Sequence, residues 1–86
     1  MSRKVALITG AGQGVGQGIA LAMAAAGAKV AVTGRTLEKL EKTVSMIAER
    51  GGEAIALTSN VKSADDLTNI VDETVARLGS VDILVN

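Results

Sequence analysis

The 86-residue chain has no cysteine, no histidine, no proline and no aromatic residue. Each absence removes a class of chemistry. Without cysteine there is no disulfide and no thiolate nucleophile. Without histidine, no side chain has an ordinary pKa near neutrality. A zinc site would need carboxylates alone, and no carboxylate cluster has suitable spacing. Without Phe, Tyr or Trp nothing can stack on unpaired bases, which argues against a single-strand nucleic-acid binder. Nine basic residues balance nine acidic ones. No block of like charge makes a case for nucleic acid or for an anionic membrane as a partner.

One uncharged stretch deserves a separate reading. No charged residue occurs from Val5 to Ala28, and Arg3 and Lys4 precede it, which is the outline of a signal peptide or a membrane span. Six glycines, Gln13 and Gln17 lie within it. They split its apolar part into residues 5–8 and 19–26. The stretch is therefore a poor span, and the chain is expected to be cytoplasmic.

What is present is an alternation of strand and helix within one domain, residues 1–86. Residues 5–8 form a short apolar run suited to a buried strand. Residues 14–26 are Ala-rich and helical, with Gly27 as C-cap. Residues 29–33 form the next strand. A second helix is expected over 37–50, with Leu37, Leu40, Val44 and Ile47 on one face. Residues 54–57 read as a third strand. A third helix follows Ser63 as N-cap, with Asp65 and Asp66 where the helix dipole favours them. Its buried stripe is expected at Leu67, Ile70, Val71, Val75 and Leu78, with Gly79 as its stop. Residues 81–85 form a fourth strand. The order β-α-β-α-β-α-β implies an α/β fold with a parallel sheet.

The first strand-to-helix turn carries the chemistry. It runs from Thr9 through Gly10, Gly12, Gln13, Gly14 and Val15 to Gly16. The pattern GxGxxG fits in no register, and the phosphate-loop pattern GxxxxGK[ST] fails for want of a lysine. TGxxxGxG fits, through Thr9, Gly10, Gly14 and Gly16. Glycine admits positive φ and close approach of backbone to ligand. The helix behind it aims free N–H groups and its positive dipole end at a pyrophosphate. Gly16 would let that helix pack closely on the sheet. A plain turn would not need five glycines between Gly10 and Gly18.

The second strand runs into Thr33-Gly34-Arg35-Thr36, and no acidic residue precedes Glu38. An acidic residue in this region would bond a ribose 2′-hydroxyl, whereas an arginine suits the 2′-phosphate of NADP. Gly34 leaves out the repelling carboxylate, and Arg35 offers a bidentate fork. Thr36 either adds a hydroxyl to that site or serves as a plain helix N-cap.

Together these motifs resemble the short-chain dehydrogenase/reductase family along the whole chain. The Gly34-Arg35 pair resembles its NADP-preferring members. The run from Val81 to Asn86 resembles its fourth strand, which leads into an Asn-Asn-Ala-Gly motif. The resemblance implies a Rossmann-type parallel sheet of strand order 3-2-1-4, here an incomplete doubly wound fold. The fourth strand would be a bare edge, and exposed apolar surface would make the chain self-associate. The resemblance also implies that Gly10, Gln13, Gly14 and Val15 line the pyrophosphate turn, that Asn60 and Val61 lie beside the adenine, and that Asn86 sits near the adenosine ribose. Asn60 stands where the family usually has Asp, and Gln13 where many NADP-dependent relatives have a basic residue. That places the 2′-phosphate preference on Arg35.

The family transfers hydride between nicotinamide and a carbonyl or alcohol, using a Ser-Tyr-Lys set in its second half. No tyrosine occurs in this chain, so no catalytic residue is assigned to it. Three readings follow: the cofactor-binding part of an NADP(H)-dependent oxidoreductase, a free-standing nucleotide-binding module, or a structural domain with a vestigial turn. The substrate is not legible, nor is the oligomeric state.

Overall fold

A computed structural model of the chain describes residues 4–10, 14–59 and 63–85. Four strands and three helices alternate: β1 (Val5–Thr9), α1 (Gly14–Ala25), β2 (Lys29–Gly34), α2 (Leu37–Glu49), β3 (Ala54–Thr58), α3 (Ala64–Leu78) and β4 (Ile83–Val85). The strands form one sheet in the order β3-β2-β1-β4. All three pairings are parallel, with Val5 opposite Lys29, Val30 opposite Ala54 and Ala6 opposite Ile83.

The two central strands explain their own sequences. A parallel strand covered on both faces is apolar without alternation, and Val5, Ala6, Leu7 and Ile8 are all buried, as are Val30, Ala31 and Val32. Successive side chains point to opposite faces. Ile8, Val30 and Val32 therefore pack with Ala20 of α1 and with Leu40 and Ile47 of α2. Leu7 and Ala31 pack on the other face with Ile70 of α3. Two helices cover one face and one covers the other. The outer strands β3 and β4 are only partly buried.

The helix ends follow local chemistry. Ser63 caps α3 by accepting the Asp66 N–H at 3.2 Å. After α1, the Ala28 N–H returns to the Met23 carbonyl and the Gly27 N–H to that of Ala24. That is the Schellman closure, with Gly27 left-handed at φ 93°. Among the described residues, no helix is long and apolar enough to cross a membrane.

Three expectations are corrected. Leu37 was placed on the buried face of α2, but it is 45% exposed, and Thr43 is fully buried in the stripe between Leu40 and Ile47. Val75 was placed in the buried stripe of α3, but it is 42% exposed. Thr74, four residues after Ile70, is buried instead. Both threonines bury their hydroxyls by bonding the carbonyl four residues back, Thr43 to Lys39 and Thr74 to Ile70. That satisfies the polar atom and lets a polar residue occupy an apolar position. The third correction concerns β4, which starts at Ile83 rather than at residue 81. Just before it, the Asp82 carboxylate, rather than a strand carbonyl, accepts the Val5 N–H.

Candidate functional site

The site lies at the carboxyl ends of β1 and β2, the usual ligand position in an open parallel sheet. Three hydrogen bonds join neighbouring strand ends there. The Gly10 N–H donates to the Thr33 carbonyl at 2.8 Å, and the Ser59 N–H donates to the Gly34 carbonyl at 2.8 Å. The Thr9 hydroxyl donates to the Val85 carbonyl at 3.3 Å. Gly10, where the glycine turn begins, is thereby tied to the end of β2 just before the Arg35 bend.

Gly10 and Gly14 have φ of 68° and 62°, in the left-handed region that L side chains rarely enter. Both are exposed, and a Cβ on either would meet no atom of the described residues within 4 Å. Among the described residues, both ends of the turn therefore face open space. Gly14 begins α1, whose first-turn N–H groups have no acceptor within the helix. No acidic residue lies in that turn to compete for them. Val15 is 80% exposed beside them, and Gly16 is half-buried.

On the neighbouring strand, Gly34 is followed by the exposed Arg35. Thr36 takes the N-cap position of α2 in extended conformation, but its side chain makes no capping hydrogen bond. The hydroxyl therefore does not do the plain N-cap's work. A second hydroxyl, that of Thr33, is buried beneath this end of the sheet with no hydrogen-bond partner among the described residues. The arrangement combines backbone donors, a positive helix end and a guanidinium on adjacent strand ends. Such a set suits a ligand with two separated anionic groups.

Gly10, Gly14, Val15, Gly16, Arg35 and Thr36 are thus brought to one end of the sheet. Gly12, Gln13, Asn60, Val61 and Asn86 lie outside the described residues. The sequence reading gave Thr9 no role beyond the motif, and it missed Gln17. The Gln17 side-chain amide donates to the Thr43 hydroxyl at 3.1 Å. No local pattern announces that contact, because its partners lie on different helices. Among the described residues, no group of three or more Asp or Glu side chains is placed to hold a metal ion.

This geometry defines an α/β dinucleotide-fold domain. The short chain dehydrogenase family pattern matches residues 4–86, and the chain belongs to that family. It is 44% identical over 82 residues to a probable tetrahydroxynaphthalene reductase of Zymoseptoria tritici, covering 94% of this chain and 31% of that protein. It is 40% identical to the short-chain dehydrogenase/reductase homolog YusS of Bacillus subtilis, covering 96% of this chain and 77% of YusS. Among solved structures, a metagenomic short-chain oxidoreductase in complex with NADP superposes with a TM-score of 0.91 at 33% identity. That match covers 98% of this chain and 38% of the other. The chain spans about a third of the length of the first curated relatives it matches.

Proposed function

We propose that this chain binds NADP(H), in preference to NAD(H), as the nucleotide-binding portion of an oxidoreductase that moves hydride between nicotinamide and a carbonyl or alcohol. The observation that carries this reading is the 2.8 Å bond from the Gly10 N–H to the Thr33 carbonyl. It sets a pyrophosphate-type turn beside an arginine, where NAD-type domains place a carboxylate. In this reading Gly10, Gly12, Gln13, Gly14 and Val15 receive the pyrophosphate, and Gly16 lets α1 pack closely on the sheet. Arg35 and Thr36 receive the 2′-phosphate. Asn60 and Val61 lie beside the adenine, and Asn86 lies near its ribose. The bound nicotinamide supplies the hydride chemistry. With no tyrosine, histidine or cysteine, these residues bind cofactor without catalysing its reaction.

The test is Arg35→Asp, with both cofactors titrated by nicotinamide fluorescence. A charge-assisted phosphate contact contributes on the order of 1.5–3 kcal/mol, so NADPH should weaken roughly 10- to 100-fold. NADH should be unchanged or bind more tightly. Equal losses for both would remove Arg35 from the 2′-phosphate.

A second reading, a free-standing nucleotide-binding module, is favoured by the similarity to YusS, of which this chain covers 77%. Activity of the protein toward any carbonyl substrate would count against it. For such a free-standing module we propose self-association through the exposed sheet edge and faces, because β4 is only partly buried and Leu84 is 42% exposed on the same sheet face as α3, whose Val75 is equally exposed. Sedimentation of a stable monomer across concentrations would contradict that.

A further inference from the structure

The two anion-binding elements of the proposed site are joined twice. The lower link is the Gly10–Thr33 bond within the sheet. The upper link crosses between helices. Gln17, in the first turn of α1, donates its side-chain amide to the Thr43 hydroxyl at 3.1 Å, and the same nitrogen lies 3.7 Å from the Met46 sulfur. Thr43 passes the polarity on, donating its own hydroxyl to the Lys39 carbonyl at 3.3 Å. Lys39 belongs to the first turn of α2, directly after Arg35 and Thr36.

The choice of residue matters. Thr43 is fully buried, at a position where the helix face calls for an aliphatic side chain. Threonine has low helix propensity, and burying a hydroxyl costs free energy unless it is bonded. A bond to its own helix would meet that cost, as it does for Thr74. Thr43 does more, because it also receives a side chain from the neighbouring helix.

Resting on the NADP(H) reading, we propose that Gln17 and Thr43 form an interhelical clamp. The clamp sets the spacing between the pyrophosphate turn and the Arg35-Thr36 bend. They are positioning residues and need not touch the cofactor. A ligand bridging two anion sites gains from the second only if that site is held at the right distance from the first. Of these two anion-binding elements, NADH engages only the glycine turn, whereas NADPH engages both. Loosening the clamp therefore affects NADPH selectively.

The experiment compares Thr43→Val, Thr43→Ser and Gln17→Leu in the full-length protein. NADPH and NADH affinities are measured alongside amide hydrogen exchange in the cofactor-free protein. Thr43→Val should weaken NADPH by about tenfold through lost preorganisation, with NADH changed by less than about twofold. Thr43→Ser, which keeps the hydroxyl, should restore NADPH binding. Exchange in the first turn of α2 should accelerate in Thr43→Val and in Gln17→Leu. Gln17→Leu, on a half-buried position, serves as the second variant where Thr43→Val does not fold. Parallel loss of both cofactors, or no change in their ratio, overturns the clamp while the NADP(H) reading stands. If the unmodified protein shows no preference for NADPH, that reading fails. The clamp is then decided by exchange alone, and unchanged exchange rejects it.

Discussion

Asp82 grips Val5 at two points. Its backbone N–H donates to the Val5 carbonyl at 2.9 Å, and its carboxylate accepts the Val5 N–H at 2.9 Å. The Ser80 hydroxyl donates to the same carboxylate oxygen at 3.0 Å. The side chain thus extends the β1–β4 ladder by one acceptor just before β4 begins.

This contact is pH-dependent. The Val5 N–H first, then the Ser80 hydroxyl, hold the Asp82 carboxyl below the usual carboxylate range, against an opposing effect of burial, with the Lys4 charge adding the smallest contribution. A carboxyl depressed in the folded state stabilises above its unfolded pKa, about 3.9, and loses that contribution as pH falls through its lower folded value. Asp82→Asn should therefore be less stable than the parent protein near neutrality. The gap should close as the pH falls below about 4. Thermal melts across that range check this, and a constant gap would mean that charge has no part in the contact.

Glycine substitutions in and beside the turn should have opposite signs. Gly10 sits at φ 68°, so Gly10→Ala forces a side chain into the left-handed region despite open space around it. A loss of about 1–2 kcal/mol is expected. Gly18, in the exposed face of α1, has no such φ, and a Cβ there would meet nothing within 4 Å. Gly18→Ala should gain about 0.5–1 kcal/mol. Denaturant titration measures both, and a loss at Gly18 would contradict the helix placement.

The buried Thr33 hydroxyl has no hydrogen-bond partner among the described residues. Thr33→Val removes an unsatisfied polar atom while keeping the branched shape. It should leave stability unchanged or raise it, by up to about 1–3 kcal/mol. A clear drop in melting temperature would show that the hydroxyl is bonded in solution.

Cofactor choice should be reversible at Gly34. Among the described residues, a Cβ there meets only the flexible end of Leu40, at 3.4 Å. Gly34→Asp should therefore fold and place a carboxylate beside the bend. Under the NADP(H) proposal it weakens NADPH and strengthens NADH, each by roughly tenfold or more. Titration of both cofactors decides the matter, and unchanged binding of both would move the ribose away from this bend.

Much of this architecture was readable from residue order. Seven elements could be placed because apolar runs, helical stripes and glycine stops each report a local rule. The exceptions share a cause. Thr43 and Thr74 were passed over for Leu37 and Val75 because hydropathy ranks side chains without knowing which hydroxyls will find a carbonyl. The early part of β4 was read as strand because Val81 and Asp82 sit in an alternating run, and nothing local reveals that Asp82 bonds a residue 77 positions away. The glycine turn and Arg35 were legible as motifs, but their adjacency depends on strand order. The Gln17–Thr43 contact depends on how two helices pack.

The position of β1 has a further consequence for the order in which the molecule forms. Both its neighbours in the sheet, β2 and β4, come later in the chain. One edge of this fully buried strand must therefore stay open until the later of its two partners has formed. Pairing with β2 requires only the nearby α1 crossover. Pairing with β4 closes nearly the whole chain, a step opposed by loop entropy and slow in folds rich in distant contacts. Until then, one side of an apolar strand is open to association with other chains. Among the described strands, the β1–β4 seam should be the last to zip and the first to breathe, so one side of a fully buried strand depends on a partner 77 positions away.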